Sequence, residues 1–441
     1  MVRTEWIELG KLPELNSCGF LMQKGLCVKM NIFRHMALLL CLASTVLASD
    51  PVSPSKVRQI EPDLQRGISR AVVVSNSALI HTAQLLPGPE AAKNSELIPQ
   101  LESTLKSLER VLKQAETSLP NCVKLNLYAA SDQDAMEAER HLPKLLPQGV
   151  CPAISIVTTP LPQKGIRIAV DAIATVPATA STRNVRRFSF MELAAPSAGT
   201  GVTVGKSSAA ILPVGSRIYI SGQAEAGDGS LKDATVKTMQ GLQKTLEHLG
   251  LRSTDVVQLK AFLRPMSDAA VAIEAMSAAF PESSPPPIVL VEWESASAPI
   301  EIELIAASPS IAGAPSIEFL TPPWMKPSPV FARVTRLNHP TTIYISGLYG
   351  STADPNGTNE IREVFGEVQR IAKLGGSDLH HLAKATYYVS TDEVSKNLNT
   401  VRPEFYHADR PPAASKAKVG GTGRAGRSMT LDMIAIPRSA P

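Results

Sequence analysis

Apolar residues recur along this chain with two spacings, which predict a mixture of strands and amphipathic helices. Over residues 97–117 the leucines and valines fall three or four positions apart, the spacing of one helix face. Short apolar runs at 256–263 and 382–389 are typical of buried strands. Two further runs, 71–74 and 79–82, predict paired strands around a short turn. The pattern predicts the order β-β-β-α-β-α-β-β three times.

The repetition is visible in the residues themselves. Residues 218–222 read Ile-Tyr-Ile-Ser-Gly, and the same five residues return at 343–347, 125 positions later. A helix ending in Leu-Gly follows each copy, and each copy closes on an acidic strand. An earlier, more divergent copy has Thr82-Ala83-Gln84 where the second has Ser-Gly-Gln.

We therefore expect an α+β protein built from three tandem domains of one kind. The two helices of each domain can cover only one face of its mixed sheet, so the other apolar face needs a partner. Three such sheets can close on one another, which predicts an intramolecular pseudo-trimer. The expected segments are an over-extended start plus signal peptide at 1–48, a linker at 49–66, domains at 67–178, 200–308 and 316–437, and joints at 179–199 and 308–316.

Composition narrows the class of protein. A hydrophobic content of 44% with 19% charged residues is typical of a globular chain and not of a disordered one. The net charge of +4 is small, and aromatic residues make up only 5%. These values argue against a nucleic-acid surface made of basic residues and stacking aromatics.

The start of the chain indicates export. Residues 31–35 supply a short basic region, 37–47 form an apolar run, and 46–48 fit a small-residue cleavage site. This run is too short to span a bilayer, so we expect a signal peptide at about 30–48 and a periplasmic or extracellular protein without membrane attachment after cleavage. An uncleaved membrane anchor is the alternative.

Two cysteines remain after the leader. Cys122 and Cys151 can form one disulfide in an oxidising compartment, or they can be two small buried side chains. No cluster of Cys and His has metal-ligand spacing, so the sequence predicts no metal site.

These motifs resemble the RidA family, whose domains are also labelled L-PSP endoribonuclease. The Ile-Ser-Gly motif, the Leu-Gly helix end and the closing acidic strand carry the resemblance, which is best in 316–437 and weakest in 67–178. It implies a chorismate-mutase-like fold, trimeric assembly and ligand clefts between units. It also implies hydrolysis of 2-imino acids to 2-keto acids and ammonia, without a cofactor.

The resemblance further implies site residues. Asp432 and Glu303 match the acidic residue that positions the hydrolytic water. The third domain is expected to supply Ser346, Gly347, Asn399, Ser415 and Asp432, with at most one or two working clefts in the protein. The expected ligand-binding residues are Ser346, Gly347, Asn399, Ser415, Ser221 and Gly222.

The arginine of the family motif is missing from all three copies. Residues 412–415 read Pro-Ala-Ala-Ser, which places Ala414 at the arginine position, and the other copies have Ile288 and Ile154 there. An arginine at this point would bind a substrate carboxylate through two parallel hydrogen bonds. Losing such a buried charged contact costs about 2–5 kcal/mol of binding. We therefore expect a substrate that depends less on a carboxylate clamp.

Several nearby charges have two interpretations. Arg424 and Arg427, in a Gly-rich loop, either reach the cleft or form a basic loop tip. Glu301 alternates with Glu303, which is typical of a solvated strand face. Lys416 alternates away from Ser415 and is expected on the opposite side of its strand.

The sequence thus predicts a monomeric RidA-like protein that acts on a small molecule. The first hypothesis is a hydrolase or deaminase for imine- or enamine-type substrates at inter-domain clefts. The alternative is a non-catalytic module that binds a small ligand in the same clefts. Ribonuclease activity is the third hypothesis, and the small net charge argues against it.

Overall fold

The computed structural model describes residues 56–177, 184–189, 203–294, 297–351, 354 and 356–438. The predicted signal peptide at 30–48 lies outside these residues. The described chain is a mixed α+β fold with mixed sheets, in which three successive segments share one order of elements.

The first segment runs to residue 176. Its elements are β1 Lys56–Asp63, β2 Ile68–Ser75, β3 Ala78–Thr82, α1 Pro89–Ala92, α2 Leu97–Gln114, β4 Cys122–Ala129, α3 Asp132–Leu145, β5 Ala153–Thr158 and β6 Ile168–Val176.

The other two segments follow the same order without the short α1. The second contains β7 Arg186–Ser189, β8 Ser207–Leu212, β9 Ser216–Gln223, α4 Leu231–His248, β10 Val256–Leu263, α5 Ala269–Ala278, β11 Ile288–Glu292 and β12 Ile300–Ser308. The third contains β13 Ile317–Leu320, β14 Val334–Leu337, β15 Thr341–Ile345, α6 Thr358–Leu374, β16 Leu382–Val389, α7 Asp392–Val401, β17 Ala413–Lys418 and β18 Met429–Ala435. The predicted order β-β-β-α-β-α-β-β is confirmed.

The helices form where local sequence favours them. In α2 the residues spaced three or four apart, from Leu101 to Leu112, are buried against the sheet, which is the amphipathic pattern of a surface helix. Side-chain oxygens cap the first turns of three other helices, because Ser131, Ser230 and Thr391 each accept a backbone N–H.

Each segment contributes four neighbouring strands of the same topology. The orders are β5-β4-β6-β3, β11-β10-β12-β9 and β17-β16-β18-β15. In each, the strand between the two helices runs parallel to the strand after the second helix and antiparallel to the closing strand.

The first two strands of each segment pair with each other, and the second of them also pairs with a strand of a different segment. Strand β2 pairs with β15, β8 pairs with β3, and β14 pairs with β9. The third segment therefore receives β1 and β2 of the first, the first receives β7 and β8 of the second, and the second receives β13 and β14 of the third. The exchange forms a closed cycle within one chain.

The hydrophobic cores show the same exchange. The core under α6 and α7 includes Ile60, Ala71 and Val73 from the first segment, and the core under α4 and α5 includes Val334 from the third. A further core gathers apolar side chains from all three segments, including Ile173 and Ile434. The sheet faces without helices therefore bury one another, as the pattern predicts.

Three local predictions need correction. The expected linker at 49–66 contains β1, and the expected joint at 179–199 contains β7. The strands predicted at 71–74 and 79–82 form, but they do not pair with each other, because the intervening Asn76 and Ser77 carry the chain from one sheet segment to the next.

The cysteines and the helices bear on two other expectations. Cys122 and Cys151 are both buried free thiols, so the structure contains no disulfide between them. Among the described residues, no helix is long and apolar enough to cross a membrane.

Candidate functional site

Three equivalent clefts lie between neighbouring segments. Each lies where the strand that ends in the Ser-Gly position of one segment (β3, β9 or β15) meets the strand after the second helix of the next segment (β11, β17 or β5, respectively). At each meeting point a backbone N–H at the Gly position donates across the joint. In the first segment this position is Gln84 and not Ala83, one residue later than the sequence alignment places it, because His81 pairs with Ile173 as Tyr219 does with Ile305. The three hydrogen bonds, which define the first, second and third cleft, run from Gln84 N to Ile288 O (3.0 Å), from Gly222 N to Ser415 Oγ (3.2 Å) and from Gly347 N to Ile154 O (2.8 Å).

The first cleft is filled by a side chain. Gln84 is fully buried, and its amide makes two hydrogen bonds with the backbone of Leu290, at 3.1 and 3.2 Å. The side chain thus occupies the edge that a ligand would need, and this cleft is closed.

The second cleft contains a carboxyl group beside a glycine. A Cβ on Gly222 would overlap the carboxyl group of Glu301, so only glycine permits this close approach. Burial raises the pKa of Glu301 to about 7, although a hydrogen bond from Ser415 opposes the rise, and the charge of Glu303 adds to it. Glu301 is therefore a half-buried group that can both accept and donate a proton near neutral pH.

Two cations lie on the other side of the second cleft. Lys416 Nζ donates to Asn399 Oδ1 at 3.2 Å and to Ser395 O at 3.0 Å, and Arg402 donates to the same Asn399 oxygen. Burial and the charge of Arg402 lower the pKa of Lys416 to about 8, while Glu301 opposes that shift. The side-chain oxygen of Asn399 thus accepts hydrogen bonds from both positively charged groups.

Lys416 lies close to the position at which the family motif has its arginine. It follows Ala414 by two residues on β17, so both side chains lie on one face of the strand. At the third cleft the equivalent residues, Ile154 and Ile156, line the cavity directly. Lys416 therefore supplies a cation one strand period away from the position where the family motif has its arginine.

The third cleft is an open cavity of about 180 Å³. Gly347, Tyr349 and Arg424 line it, and the Arg424 guanidinium lies 4.6 Å from the centre of the Tyr349 ring. Arg424 also pairs with Glu139 at 3.2 Å. Arg424 thus reaches a cleft, whereas Thr430 occupies the place that Glu301 has in the second cleft.

The serines of the Ser-Gly motif have structural hydrogen bonds. Ser346 Oγ accepts from Ile154 N at 2.8 Å and donates to Ser69 O, and Ser221 Oγ accepts from Ala414 N at 2.8 Å. Both serines are buried. Their hydroxyl groups hold neighbouring segments together.

The two residues expected to position water lie elsewhere. Asp432 and Glu303 belong to a buried group of six charges that we call the central ion cluster. Its shortest pairs are Lys124–Asp432 (3.1 Å), Lys384–Glu303 (2.8 Å) and Lys260–Asp432 (3.7 Å), and its third carboxyl group is Asp171, which accepts from Asn126 and Tyr128.

The groups around Asp432 determine the protonation state of its carboxyl group. Burial opposes ionisation, but the charges of Lys124, Lys260 and Lys384 hold the pKa of Asp432 well below its ordinary value. A carboxylate held this way is a poor general base, because its affinity for a proton is low.

The structure distributes the expected site residues over three places. Ser346 and Gly347 lie at the third cleft, whereas Asn399 and Ser415 lie at the second cleft with Ser221 and Gly222. Asp432 and Glu303 lie in the central ion cluster. The physical reason is that each cleft is built from two segments, so one segment contributes its motifs to two different clefts.

Three charged residues of the second cleft were not assigned to the site from sequence. Glu301 was expected on a solvated face, yet it lies in the cleft and Glu303 is fully buried. Lys416 does lie on the opposite side from Ser415, and that side faces the helix carrying Asn399. Lys416 follows Ala414 by two residues on the same strand, and this alternation could have indicated that Lys416 belongs to the site. No sequence signal indicates that Arg402 does. Among the described residues, no group of three or more His, Cys, Asp or Glu side chains could hold a metal ion.

Comparison with known proteins supports the family resemblance for one segment. Residues 202–308 match the family model described as Endoribonuclease L-PSP. No curated protein sequence matches the chain.

Several solved structures are similar to parts of the chain. A YjgF-family protein from Neisseria meningitidis is 20% identical, with 28% of this chain and 97% of that chain covered and a TM-score of 0.22. RidA from an Antarctic Psychrobacter is 20% identical, with 22% and 80% covered and a TM-score of 0.20. A YjgF-family protein from Mycobacterium tuberculosis is 20% identical, with 27% and 100% covered and a TM-score of 0.19.

Proposed function

We propose that this chain is a fused set of three RidA-type domains and that its second cleft hydrolyses small imine- or enamine-type compounds. The fused arrangement is supported by the shared order of elements and by the core common to all three segments. It predicts a monomer in solution. Light scattering should give the mass of one chain, and a mass of three chains would contradict the arrangement.

Glu301 carries the proposal for hydrolysis. A group whose pKa lies at about 7 is well suited to general acid–base catalysis at neutral pH. In the proposed step the Glu301 carboxylate takes a proton from water while the water oxygen bonds to the imine carbon. The protonated Glu301 then donates to the imine nitrogen, which gives a carbinolamine. Glu301 next takes the proton of the new hydroxyl group and passes it to the amine nitrogen, the carbon–oxygen double bond forms as the carbon–nitrogen bond breaks, and a ketone or keto acid and ammonia leave.

Lys416 supplies the charge for orienting a substrate with an acidic group. Its ammonium lies on the same strand face as Ala414 and is held by Asn399, so it can attract a carboxylate on the substrate. A lysine is a point charge and lacks the planar fork of arginine, so we propose weaker and less directional binding than an arginine would give.

The test uses purified protein and freshly generated 2-iminopropionate, with keto-acid release followed over time. Wild-type protein should accelerate release, and Glu301→Gln should lower the rate by about 100-fold or more, the usual contribution of a general acid–base group. Glu282→Gln, the same substitution at an exposed position, is the matched control and should leave the rate unchanged. No acceleration by the wild-type protein, or equal rates for wild type and Glu301→Gln, would refute the proposal.

Binding without catalysis is the second candidate, and the third cleft favours it. Its cavity of about 180 Å³ has Arg424 stacked on Tyr349, but Thr430 replaces the carboxyl group. A thermal-shift series with small keto acids, amino acids and amines tests this function. A ligand that stabilises the wild type and not Arg424→Gln would support it, and no shift with any of these compounds would exclude it.

A further inference from the structure

The amino group of Lys416 lies at a strand position that faces the second cleft. Its side chain is half-buried, and it ends beside the exposed Asn399. The equivalent residue of the third cleft, Ile156, lines the open cavity there. Lys416 and Glu301 also shift each other's pKa through their charges, so the two groups are neighbours in the second cleft. The amine is therefore placed where a small molecule in this cleft can reach it.

The hydrogen bonds of Lys416 match those of a neutral amine. Within the part of the chain that the structure describes, Nζ has two acceptors, Ser395 O at 3.0 Å and Asn399 Oδ1 at 3.2 Å. A lysine ammonium has three N–H donors, whereas the neutral amine has two and an unshared electron pair. Both N–H groups of the neutral form can thus be satisfied while the electron pair stays free.

A second cation favours that neutral form. Arg402 donates to the same Asn399 oxygen, so two positive charges lie close together, and Arg402 is only 4% exposed. Burial and this charge lower the pKa of Lys416 to about 8, while Glu301 opposes the shift. At pH 7 roughly one-tenth of such a group is neutral, against less than about one-thousandth of an ordinary lysine. Desolvation beside another cation is one of the ways in which proteins make a lysine nucleophilic.

We propose that Lys416 forms a covalent imine, a Schiff base, with small ketones and aldehydes that enter the second cleft. This activity goes beyond the hydrolysis proposed above and does not depend on it. A bond to the carbonyl carbon fixes the bound compound without a carboxylate clamp, which is the contact that Ala414 does not provide. The protonated form of Lys416 keeps the orienting role already described, and the neutral form is the nucleophile.

Glu301 supplies the proton transfers of this reaction. The electron pair of Lys416 Nζ bonds to the carbonyl carbon, the carbonyl oxygen takes a proton from Glu301, and the nitrogen returns a proton to the Glu301 carboxylate. This gives a neutral carbinolamine. Glu301 then donates to the hydroxyl group, which leaves as water while the carbon–nitrogen double bond forms. The product is a protonated imine and an ionised Glu301, and a pKa of about 7 suits Glu301 to both directions of transfer.

The test is reductive trapping of the full-length wild-type protein with pyruvate and sodium cyanoborohydride at neutral pH. Cyanoborohydride transfers hydride to the imine carbon and leaves a stable secondary amine, which mass spectrometry of peptides locates. Lys416 should be modified at least about tenfold faster than the exposed Lys396, because far more of it is neutral. No adduct at Lys416, or equal rates at Lys416 and Lys396, would overturn the proposal.

Variants check the assignment of the trapped group. Lys416→Arg keeps the positive charge but cannot form the imine, so the fast adduct should disappear. Lys396→Arg, the same substitution at an exposed position on α7, is the matched control and should keep it. A fast adduct that survives in Lys416→Arg would refute the proposal. If Lys416→Arg does not fold, the two rates within the wild-type protein decide the question.

The same measurements separate this activity from the proposed hydrolysis. A wild-type protein that traps pyruvate at Lys416 but does not accelerate keto-acid release from 2-iminopropionate would support the Schiff base and refute the hydrolysis. A protein that accelerates keto-acid release but gives no adduct at Lys416 would refute the Schiff base alone.

Discussion

The pH dependence of stability tests the environment of Glu301 without any knowledge of a substrate. The folded protein holds the pKa of Glu301 at about 7, against an ordinary value of 4.5. Between these values the folded state keeps a proton that the unfolded state has released. The stability contribution of Glu301 is therefore complete below pH 4.5 and is lost as the pH rises to 7.

The size of the effect follows from the two pKa values. A difference from 4.5 to about 7 corresponds to about 3 kcal/mol, at roughly 1.4 kcal/mol for each pH unit. Glu301→Gln removes the titration and keeps the shape of the side chain. The difference in the free energy of unfolding between the variant and the wild type should be smallest at pH 4.5. By pH 8 the variant should have gained about 3 kcal/mol of stability relative to the wild type.

The assay is urea unfolding of both proteins between pH 4.5 and 8, followed by fluorescence and circular dichroism. Taking the difference between the two proteins removes the pH dependence of all other groups. Glu282→Gln should show a constant difference across the range, because that residue is exposed. A change smaller than about 1 kcal/mol for Glu301→Gln would show that this carboxyl group ionises almost as it does in water.

Three other changes have definite expected results. Gly222→Ala would place a Cβ on the flexible end of the Glu301 side chain, which must then move, and should destabilise the fold by about 1 kcal/mol in urea melts. Gly366→Ala, in open space on α6, should be neutral or stabilising, and equal effects would contradict the close approach at Gly222. Lys124→Met should cost about 3–5 kcal/mol because it removes the nearest cation from the buried Asp432, and a loss below 1 kcal/mol would show that the pair is not tightly coupled. Burial raises the pKa of Cys122 to about 12, so maleimide should label it only after unfolding, and rapid labelling of the native protein would contradict its burial.

The sequence predicted the elements of the fold better than their pairing. Helices and buried strands have strong local periodicity, and the strands at 256–263 and 382–389 form with the predicted bounds. Strands β1 and β7 lie in polar stretches that give no such signal. Their stability comes from pairing with β2 and β8.

The exchange of strands between segments could not be predicted, because pairing within a segment and pairing between segments would use the same kinds of contact. If the segments are equivalent, β8 can pair with its neighbour β9 or with the corresponding strand β3, and the hydrophobic pattern fits both. Only the path of the short connection at 213–215 separates the two arrangements. That path is a property of the assembled core, not of the local sequence.

The candidate site was predicted in part for a similar reason. The motif residues at Gly222, Ser415 and Asn399 do meet at one cleft. The carboxyl group beside them is that of Glu301, two residues before Glu303, which the sequence favoured. Glu301 and Glu303 point to the same side, and the sequence does not show where that side changes from open cleft to closed core.

Fusion into one chain explains how the three clefts can differ. In a trimer of identical subunits any residue would appear in all three clefts, so a filling side chain such as Gln84 would close every one of them. Here the equivalent positions have diverged separately: the glycine position holds Gln84, Gly222 and Gly347, the acid position holds Ala169, Glu301 and Thr430, and the cation position holds Leu290, Lys416 and Ile156.

Only the second cleft combines a glycine, an acid and a cation at these positions. The first has none of the three, and the third keeps the glycine alone and gains Arg424 from a loop. A single chemically equipped cleft needs the other segments mainly to complete the shared core, which gathers apolar side chains from all three segments and holds the buried pairs Lys124–Asp432 and Lys384–Glu303. The segments also differ within the core, where Gln258 stands at the position of Lys124 and Lys384, but the differences in the clefts are the ones that alter ligand chemistry without disturbing the packing that holds the segments together.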